Sequence, residues 1–288
     1  MRIGILCSRV RVEEKLLRDA LVHQGADVEL IDDRELTLDI GRAQRRWDVI
    51  VERSLSQTHG LAALRVFVDW GVPTVNAPEV VELCNDKLAT TSALHAAGLP
   101  TPRTLIAFSP ESALRAADDI GYPVVTKPVA GSWGRMVARL NDRDAAEAIF
   151  EGRATLGSPE HSIFYLQEYV AKPGRDIRAF VVDGETICAV YRESDHWITN
   201  TARGAHTSNC PVTPELDALC LRAVQAVGAG VLAVDLLESG DRLLVNEINA
   251  TMEFRNSIDV TGVDIPGHIA AHVVAVARGD ALLVEAAT

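Results

Sequence analysis

The fold is decided by the segment LAVDLLESGDRLLVNEINATMEF, residues 232–254. Two apolar runs flank a polar turn around Asp241, which predicts a β-hairpin. Glu247 and Asn249 are two residues apart, so on a strand they point to the same face. Asp235 then lies almost opposite Glu247, where paired β-carbons are about 4.5–5.5 Å apart. The hairpin therefore predicts a set of hard oxygen ligands suited to Mg²⁺, and the alternative is a solvated hairpin with scattered acids.

Composition restricts the possible functions. The chain has 288 residues, 48% of them hydrophobic, which suffices for two or three domains. Its net charge of −12 argues against a nucleic-acid binder, which would need a basic face to neutralise phosphates. No apolar run reaches the roughly 18 residues that span a bilayer, and the N-terminal sequence lacks a signal peptide, so we expect a cytoplasmic protein. The 5 cysteines are scattered without a CxxC pair, which indicates reduced thiols.

The first 80 or so residues alternate strand and helix patterns. RIGIL is a predicted buried strand, a helix runs from Glu13 to Gln24, and DVELI, DVIVE and VPTV follow as strands. This alternation is typical of an open α/β layer. No GxGxxG follows the first strand, so we do not expect a nicotinamide dinucleotide.

The rest of the chain divides into a mixed region and a strand-rich region. A linker-like Asn76-Ala77-Pro78 precedes helical segments on either side of Lys87. Further helices are predicted with caps at Ser109 and Asn141, and another opens at Thr213-Pro214. After Phe164 strands dominate, and a closing helix follows Pro266.

Lys127 and the glycines after it form the second chemical signal. Lys127 ends the apolar strand PVVTKP, and GSWG follows within a few residues. Glycines let backbone N–H groups close around phosphate oxygens, and the lysine adds a positive charge. The segment is not a Walker P-loop, because GK[ST] is missing. Trp133 would be a poor choice at the tip of a solvated turn, which favours a phosphate-covering flap.

Three further segments carry weaker signals. Residues 167–170, QEYV, end a strand whose backbone can pair with an adenine edge, and an ordinary strand end is the alternative. Asp176 and Arg178 lie in the loop-to-strand passage GRDIRAF, where a surface ion pair is equally possible. Arg192, Asn200 and Arg203 suit carboxylate or phosphate oxygens, or form a solvated loop.

In their order along the chain, these signals resemble the ATP-grasp superfamily, and within it the RimK-type carboxylate–amine ligases. The strings KPVAGSWGRMVARL, HWITNTARG and NEINATMEFRNS with GVDIPG are similar to the LysX branch, whose members act in lysine biosynthesis on the carrier protein LysW. The resemblance implies an α/β (α+β) ATP-grasp fold. It comprises a Rossmann-like pre-ATP-grasp domain at 1–84, a central subdomain with a glycine flap at 85–165, and a C-terminal subdomain with the metal site at 166–288.

The resemblance also implies ATP and a pair of Mg²⁺ ions as cofactors. Its nucleotide-binding positions are Lys87 and Lys127 for the α/β-phosphates, Gly131, Ser132, Trp133, Gly134, Arg135 and Met136 for the flap, Gln167, Glu168, Tyr169 and Val170 for adenine, and Asp176 for ribose. Its metal ligands are Asp235, Glu247 and Asn249.

In the implied reaction a carboxylate attacks the γ-phosphate to give an acyl-phosphate, and an amine then displaces phosphate. Lys127, Arg192 and Arg203 are the implied catalytic residues, with Asn200 beside them. The acyl donor is the C-terminal glutamate of LysW, and the amine is the α-amino group of 2-aminoadipate. The expected amino-acid pocket consists of Arg192, Asn200, Thr201, Ala202, Thr251, Met252, Glu253, Phe254 and Arg255.

The expected carrier is acidic, so a ligase with a net charge of −12 should repel it at long range. Our hypothesis is a local basic patch around Arg192, Arg203 and Arg255 that acts within a Debye length of about 8–10 Å. Members of the resembled family are usually dimers or tetramers, which implies a homo-oligomer.

Alternatives remain for the reaction. Glutamate can replace aminoadipate, as in the ArgX branch or in a dual-specificity enzyme, because one methylene is worth only about 1–3 kcal/mol. A RimK-type ligase that adds glutamates to a ribosomal protein tail is less consistent with HWITNTARG and NATMEF. A nucleotide-binding scaffold without turnover is the alternative from a different functional class.

Overall fold

The N-terminal layer is a parallel sheet in the order β2-β1-β3-β4, in a computed structural model that describes residues 1–131, 136–157, 162–199 and 204–280. Strands β1 and β3 are buried almost throughout, as expected for a parallel sheet covered by helices. The predicted α/β alternation is therefore confirmed. Its elements are β1 (Arg2–Cys7), α1 (Val12–His23), β2 (Asp27–Asp32), β3 (Val49–Glu52), α2 (Gln57–Asp69) and β4 (Thr74–Val75).

The middle of the chain forms an antiparallel sheet in the order β5-β8-β6-β7. Ser109 caps α5 as predicted, whereas α6 is capped by Asp142, whose side chain accepts from the Ala145 N–H. Asn141 lies one residue too early to reach that amide. The elements are α3 (Pro78–Asn85), α4 (Lys87–Ala96), β5 (Thr104–Ala107), α5 (Pro110–Ile120), β6 (Val124–Lys127), β7 (Ala138–Leu140), α6 (Arg143–Leu156) and β8 (Phe164–Glu168).

The C-terminal region is built on an antiparallel sheet in the order β11-β10-β9-β12-β13. The predicted hairpin is confirmed: Ser239 pairs with Arg242 across the turn, and Asp235 pairs directly with Glu247. A β-bulge follows Asp235, so Asn246 is the extra residue of β13. The elements are β9 (Arg175–Val182), β10 (Glu185–Glu193), β11 (His206–Cys210), α7 (Pro214–Val227), β12 (Val231–Ser239), β13 (Arg242–Asn249), α8 (Arg255–Thr261) and α9 (Ile265–Arg278).

Asn76 fixes the N-terminal layer to this hairpin. Its buried amide donates to the carbonyls of Val231 (2.8 Å) and Ala250 (2.7 Å) and accepts from the Val231 N–H (2.6 Å). Gly230 makes room for it, because a Cβ there would lie 2.2 Å from the Asn76 Oδ1, and its φ is +138°. The segment predicted as a linker is thus a buried clamp between the two ends of the fold.

Helices α8 and α9 close the chain against the N-terminal layer. Ile265, Ile269 and Val273 of α9 share a hydrophobic core with Ile3, Leu17 and other residues of that layer. Among the described residues, no single helix has the length and apolar character to cross a membrane. Only α8 and α9 taken together meet that criterion, and they are bent by 114°.

Candidate active site

A cavity of about 230 Å³ lies where the three parts of the fold meet. Most described residues of the predicted nucleotide and metal sites line it. Those residues are Lys87, Lys127, Gly131, Gln167, Glu168, Tyr169, Val170, Asp176, Asp235, Glu247 and Asn249, and the predicted substrate residues Arg192, Thr251 and Glu253 join them. The structure therefore brings together positions spread over more than half of the chain.

Two lysines lie against the hairpin at one end of the cavity. Lys87 Nζ is 3.2 Å from Glu247 Oε1 and donates to the Gly131 carbonyl at 2.6 Å. Lys127 Nζ donates to Asn246 Oδ1 at 3.4 Å. Burial lowers the pKa of Lys127 to about 8, the nearby Glu247 opposes this, and the charge of Lys87 adds to it. This end of the cavity therefore holds concentrated positive charge, as a polyphosphate requires.

A row of charged side chains crosses the sheet beside these lysines. On adjacent strands Arg192 is paired with Asp176, and Arg178 with Asp235. Each guanidinium makes two hydrogen bonds to its carboxylate, at 2.6 and 2.9 Å and at 2.7 and 2.8 Å respectively. Arg192 Nη2 is also 3.1 Å from Asp235. Asp176 and Arg178 thus lie within β9 on the site face and pair with neighbouring strands, which corrects the expected loop and surface pair.

Asp235 has the most strongly perturbed carboxylate of the row. Burial alone would raise its pKa, but the charges of Arg178 and Arg192 and their hydrogen bonds outweigh burial and hold the pKa at about 2. Burial alone would lower the pKa of Arg192, but the neighbouring carboxylates of Asp235 and Asp176 raise it. Asp235 and Arg192 are therefore both charged at neutral pH.

The expected metal ligands have a suitable donor chemistry. Asp235 and Glu247 face each other across the hairpin, and the Asn249 amide nitrogen is 3.5 Å from Asp235 Oδ2. Two carboxylates and an amide oxygen are hard ligands, so the set fits Mg²⁺. No cluster of three His, Cys, Asp or Glu side chains placed for a metal occurs within the described part of the chain. Asp235 is 5% exposed and already shared by two arginines, so a cation must compete with them.

Strand β8 and the residues after it contribute aromatic and apolar side chains to the cavity. Strand β8 ends at Glu168, and Tyr169 and Val170 continue along the cavity wall. The Tyr169 and Trp197 rings are in edge contact at 6.2 Å, and Gln167 is buried. Aromatic and apolar side chains beside a strand end suit a purine base.

Several predicted positions cannot be placed or lie elsewhere. Eight fall outside the described residues, namely Ser132, Trp133, Gly134, Arg135, Asn200, Thr201, Ala202 and Arg203. Met136 is 57% exposed. Met252 and Phe254 are buried at 0% and 1% exposure in the core shared with α9, so their side chains cannot form the pocket wall that the sequence suggested. Alternation along the segment directs Thr251 and Glu253 to the cavity instead.

The sequence analysis assigned no role to several polar residues that line the cavity, among them Arg11, Lys172 and Asn246. Lys172 donates to Thr199 Oγ1 at 2.6 Å and is 3.6 Å from Asp176. Its signal was available, because it is one of only four lysines in the chain. Asn246 lines the cavity because it is the extra residue of the β-bulge, and no sequence pattern predicted that bulge.

A second cavity of about 320 Å³ adjoins the first. The two share Arg11, Arg178, Arg192 and Glu253, and Arg255 lines only the second. Arg192 is 4% exposed and belongs to the wall between the cavities. Arg192 and Arg255 both line the second cavity, and Arg203 lies outside the described residues, so the local basic patch for the carrier stays a hypothesis.

Comparison with known proteins agrees with this geometry. A family model for the RimK-like ATP-grasp domain matches residues 84–273, and one for the LysX preATP-grasp domain matches residues 3–83. The fold resembles a RimK domain ATP-grasp protein from Sphaerobacter thermophilus, with a TM-score of 0.82, 28% identity, and coverage of 95% of this chain and 100% of that one.

Two curated relatives extend over nearly the whole chain. The glutamate–LysW ligase ArgX of Sulfolobus acidocaldarius is 32% identical over 276 residues, covering 95% of this chain and 98% of the relative. The alpha-aminoadipate–LysW ligase LysX of Sulfurisphaera tokodaii is 33% identical over 275 residues, covering 93% and 96%. Both relatives are named as ligases, in agreement with the ligase chemistry expected from the sequence.

Proposed function

We propose that this chain, which belongs to the RimK-like ATP-grasp family, joins the α-amino group of 2-aminoadipate to the C-terminal glutamate of the carrier protein LysW. The chain is an ATP-grasp ligase of the carboxylate–amine type, which favours turnover over the scaffold alternative. The observation that carries the finer proposal is that relatives named as LysW ligases match more than nine-tenths of the chain.

ATP is proposed to occupy the first cavity. Its adenine would lie beside Gln167, Tyr169 and Val170, and its phosphates would lie against Lys87 and Lys127. Asp176 is the proposed ribose contact, although its carboxylate is already bound by Arg192. The proposed flap, residues 131–136, would cover the phosphates from the side of Gly131.

Phosphoryl transfer in such a site depends on positioning and on neutralising charge. Lys87 and Lys127 hold the phosphate oxygens, and Arg192 faces the carboxylate that attacks the γ-phosphate. When bound at Asp235, Glu247 and Asn249, Mg²⁺ supplies further positive charge for the phosphate oxygens. Exclusion of water by the flap preserves the acyl-phosphate until the amine arrives.

Glutamate is the second candidate for the amine substrate. The ArgX relative is as similar to this chain as the LysX relative, at 32% and 33% identity. The strings HWITNTARG and NATMEF support aminoadipate through their resemblance to the LysX branch. The two substrates differ by one methylene, so an enzyme that accepts both is consistent with about 1–3 kcal/mol of discrimination.

The test is ADP release with ATP, Mg²⁺, the carrier protein and one amino acid at a time. We expect turnover with aminoadipate to exceed turnover with glutamate. A carrier that lacks its last residue is the matched control and should give no amide. Turnover with glutamate alone would replace the lysine assignment by an arginine one. Absence of turnover with both amino acids, despite ATP binding, would refute the carrier assignment.

A further inference from the structure

The two cavities are joined by a wall of four charged residues: Arg11, Arg178, Arg192 and Glu253. Arg11 comes from the N-terminal layer, the next two from the sheet, and Glu253 from the segment after the hairpin. The first cavity is already assigned to ATP, so a molecule in the second would meet the nucleotide at this wall. The second reactant of a ligase must bind in such a place.

The charges of the second cavity complement an acidic α-amino acid. Arg178 uses two N–H groups on Asp235, and Arg192 uses two on Asp176 and has its Nη2 3.1 Å from Asp235. A guanidinium has five N–H groups, so each arginine retains donors for a carboxylate. Arg255 makes no hydrogen bond or ion pair with the described residues, and its exposed side chain lines the cavity mouth. The arginines therefore provide carboxylate sites at both the inner wall and the entrance.

Glu253 is the acid that both cavities share. Its side chain is 33% exposed, and Arg11 Nη1 lies 3.2 Å from its Oε1. Arg11 also donates to Glu14, through bonds of 2.8 and 3.1 Å. Because Arg11 is shared between two carboxylates, it only partly neutralises the charge of Glu253. Glu13, the other acid of the second cavity, does not line the first.

We propose that the second cavity binds the amine substrate, an acidic α-amino acid, with its carboxylates on the arginines and its ammonium on Glu253. This inference rests on the proposed function and adds a catalytic residue to it. Glu253 takes one proton from the ammonium, and the free amine attacks the acyl-phosphate carbonyl. The C–N bond forms, the C–O bond to phosphate breaks, and the second N–H proton leaves with the phosphate.

The charged groups that share the cavity with Glu253 are Arg11 and Glu13 near the start of α1, Arg178 and Arg192 of the sheet, and Arg255 of α8. A guanidinium is not deprotonated in proteins under ordinary assay conditions. Lys127 of the first cavity, whose pKa burial lowers to about 8, titrates in the wild type and in a Glu253 variant alike. The ratio of the two rates, and not either rate alone, therefore reports on the substrate ammonium and on its acceptor.

The experiment separates the two half-reactions in the variant Glu253→Gln. With ATP, Mg²⁺ and carrier but no amino acid, hydroxylamine traps the acyl-phosphate as a hydroxamate, and we expect this rate to match the wild type. Amide formation with aminoadipate should fall about 100-fold at pH 7, the usual scale of a lost proton acceptor. The loss should shrink as pH approaches the pKa of the substrate ammonium, because free amine then no longer needs the carboxylate.

Controls make the outcomes decisive. Glu253→Asp should restore part of the amide rate, and Glu215→Gln, an exposed residue on α7, should behave as the wild type. An unchanged amide rate at pH 7 in Glu253→Gln would overturn the proposal. So would a parallel loss of hydroxamate, because Glu253 would then act in formation of the acyl-phosphate and not only in the attack of the amine. Failure of the proposed function is distinct, since the wild type itself would then give no hydroxamate.

Discussion

Binding of nucleotide should make Lys127 take up a proton. Lys127 is 6% exposed, and burial lowers its pKa from 10.5 to about 8, which corresponds to about 3 kcal/mol against the charged form. Without ligand, Lys127 is about nine-tenths neutral at pH 9 and about nine-tenths charged at pH 7. Polyphosphate beside the amine favours the charged form, so binding should take up about 0.9 proton at pH 9 and about 0.1 at pH 7.

The assay is titration calorimetry of nucleotide binding at pH 7 and pH 9, each in two buffers of different ionisation enthalpy. The variant Lys127→Met keeps the volume of the side chain and removes the titrating group. Lys172 lines the same cavity, and burial also lowers its pKa, so uptake that persists in the variant measures its contribution. Equal proton uptake in the wild type and in Lys127→Met at pH 9 would refute the reasoning.

The same shift predicts an effect on folding, with its sign fixed by linkage. The pKa of Lys127 is lower in the folded protein than in the unfolded chain, so the charged lysine destabilises the fold. This loss of stability is complete below about pH 8 and disappears as pH rises toward 10.5. Lys127→Met should therefore raise the free energy of unfolding at pH 7 by up to about 3 kcal/mol while weakening nucleotide binding. Urea unfolding of the wild type and the variant at pH 7 and pH 10 measures this change in the free energy of unfolding. An equally large increase at pH 10 would contradict the electrostatic explanation.

Three further outcomes follow from contacts near the site. Asp235→Asn should cost about 3–5 kcal/mol in urea unfolding at pH 7, because it leaves Arg178 and Arg192 without a shared buried carboxylate. Since the pKa of Asp235 is depressed from 3.8 to about 2, its stabilisation is present above pH 3.8 and lost as pH falls through 2, and the variant should lack that acid loss. Asn76→Ala should cost at least about 2 kcal/mol, because buried backbone groups of Val231 and Ala250 lose their partner; a smaller change would show that water replaces the amide. Gly230→Ala should lower the melting temperature far more than Gly240→Ala. Both changes introduce backbone strain of about 1–3 kcal/mol at a positive φ, but only the new Cβ at position 230 would clash with Asn76.

Local patterns were enough to predict the elements that carry the site. The hairpin and its Asp235–Glu247 pairing follow from period-two alternation and a two-residue turn, both of which are local. The face of Met252 and Phe254 was not predictable in the same way. Both are apolar and both adjoin the site residues, and only the packing of α9 against the N-terminal layer determines that they are buried there.

Long-range pairing explains the remaining differences. Arg178 seemed a partner for Asp176 because the two are close in sequence, yet i and i+2 on a strand lie side by side, and each pairs with the strand next to it. Arg11 lies more than 240 residues from Glu253, and only the position of the N-terminal layer brings them to 3.2 Å. Asn246 depends on a bulge, and the alternation of the hairpin by itself would direct this residue away from the cavity.

Arg178 and Arg192 line both cavities, so their hydrogen bonds can couple the two sites. Asp235 now shares its oxygens between Arg178 and Arg192, and a cation at Asp235 would compete for those oxygens. Any N–H released in this way lies on the wall of the second cavity, where a substrate carboxylate can accept it. We therefore expect a cation at Asp235 to strengthen binding of the acidic amino acid, and by linkage the amino acid should strengthen cation binding at Asp235 by the same factor.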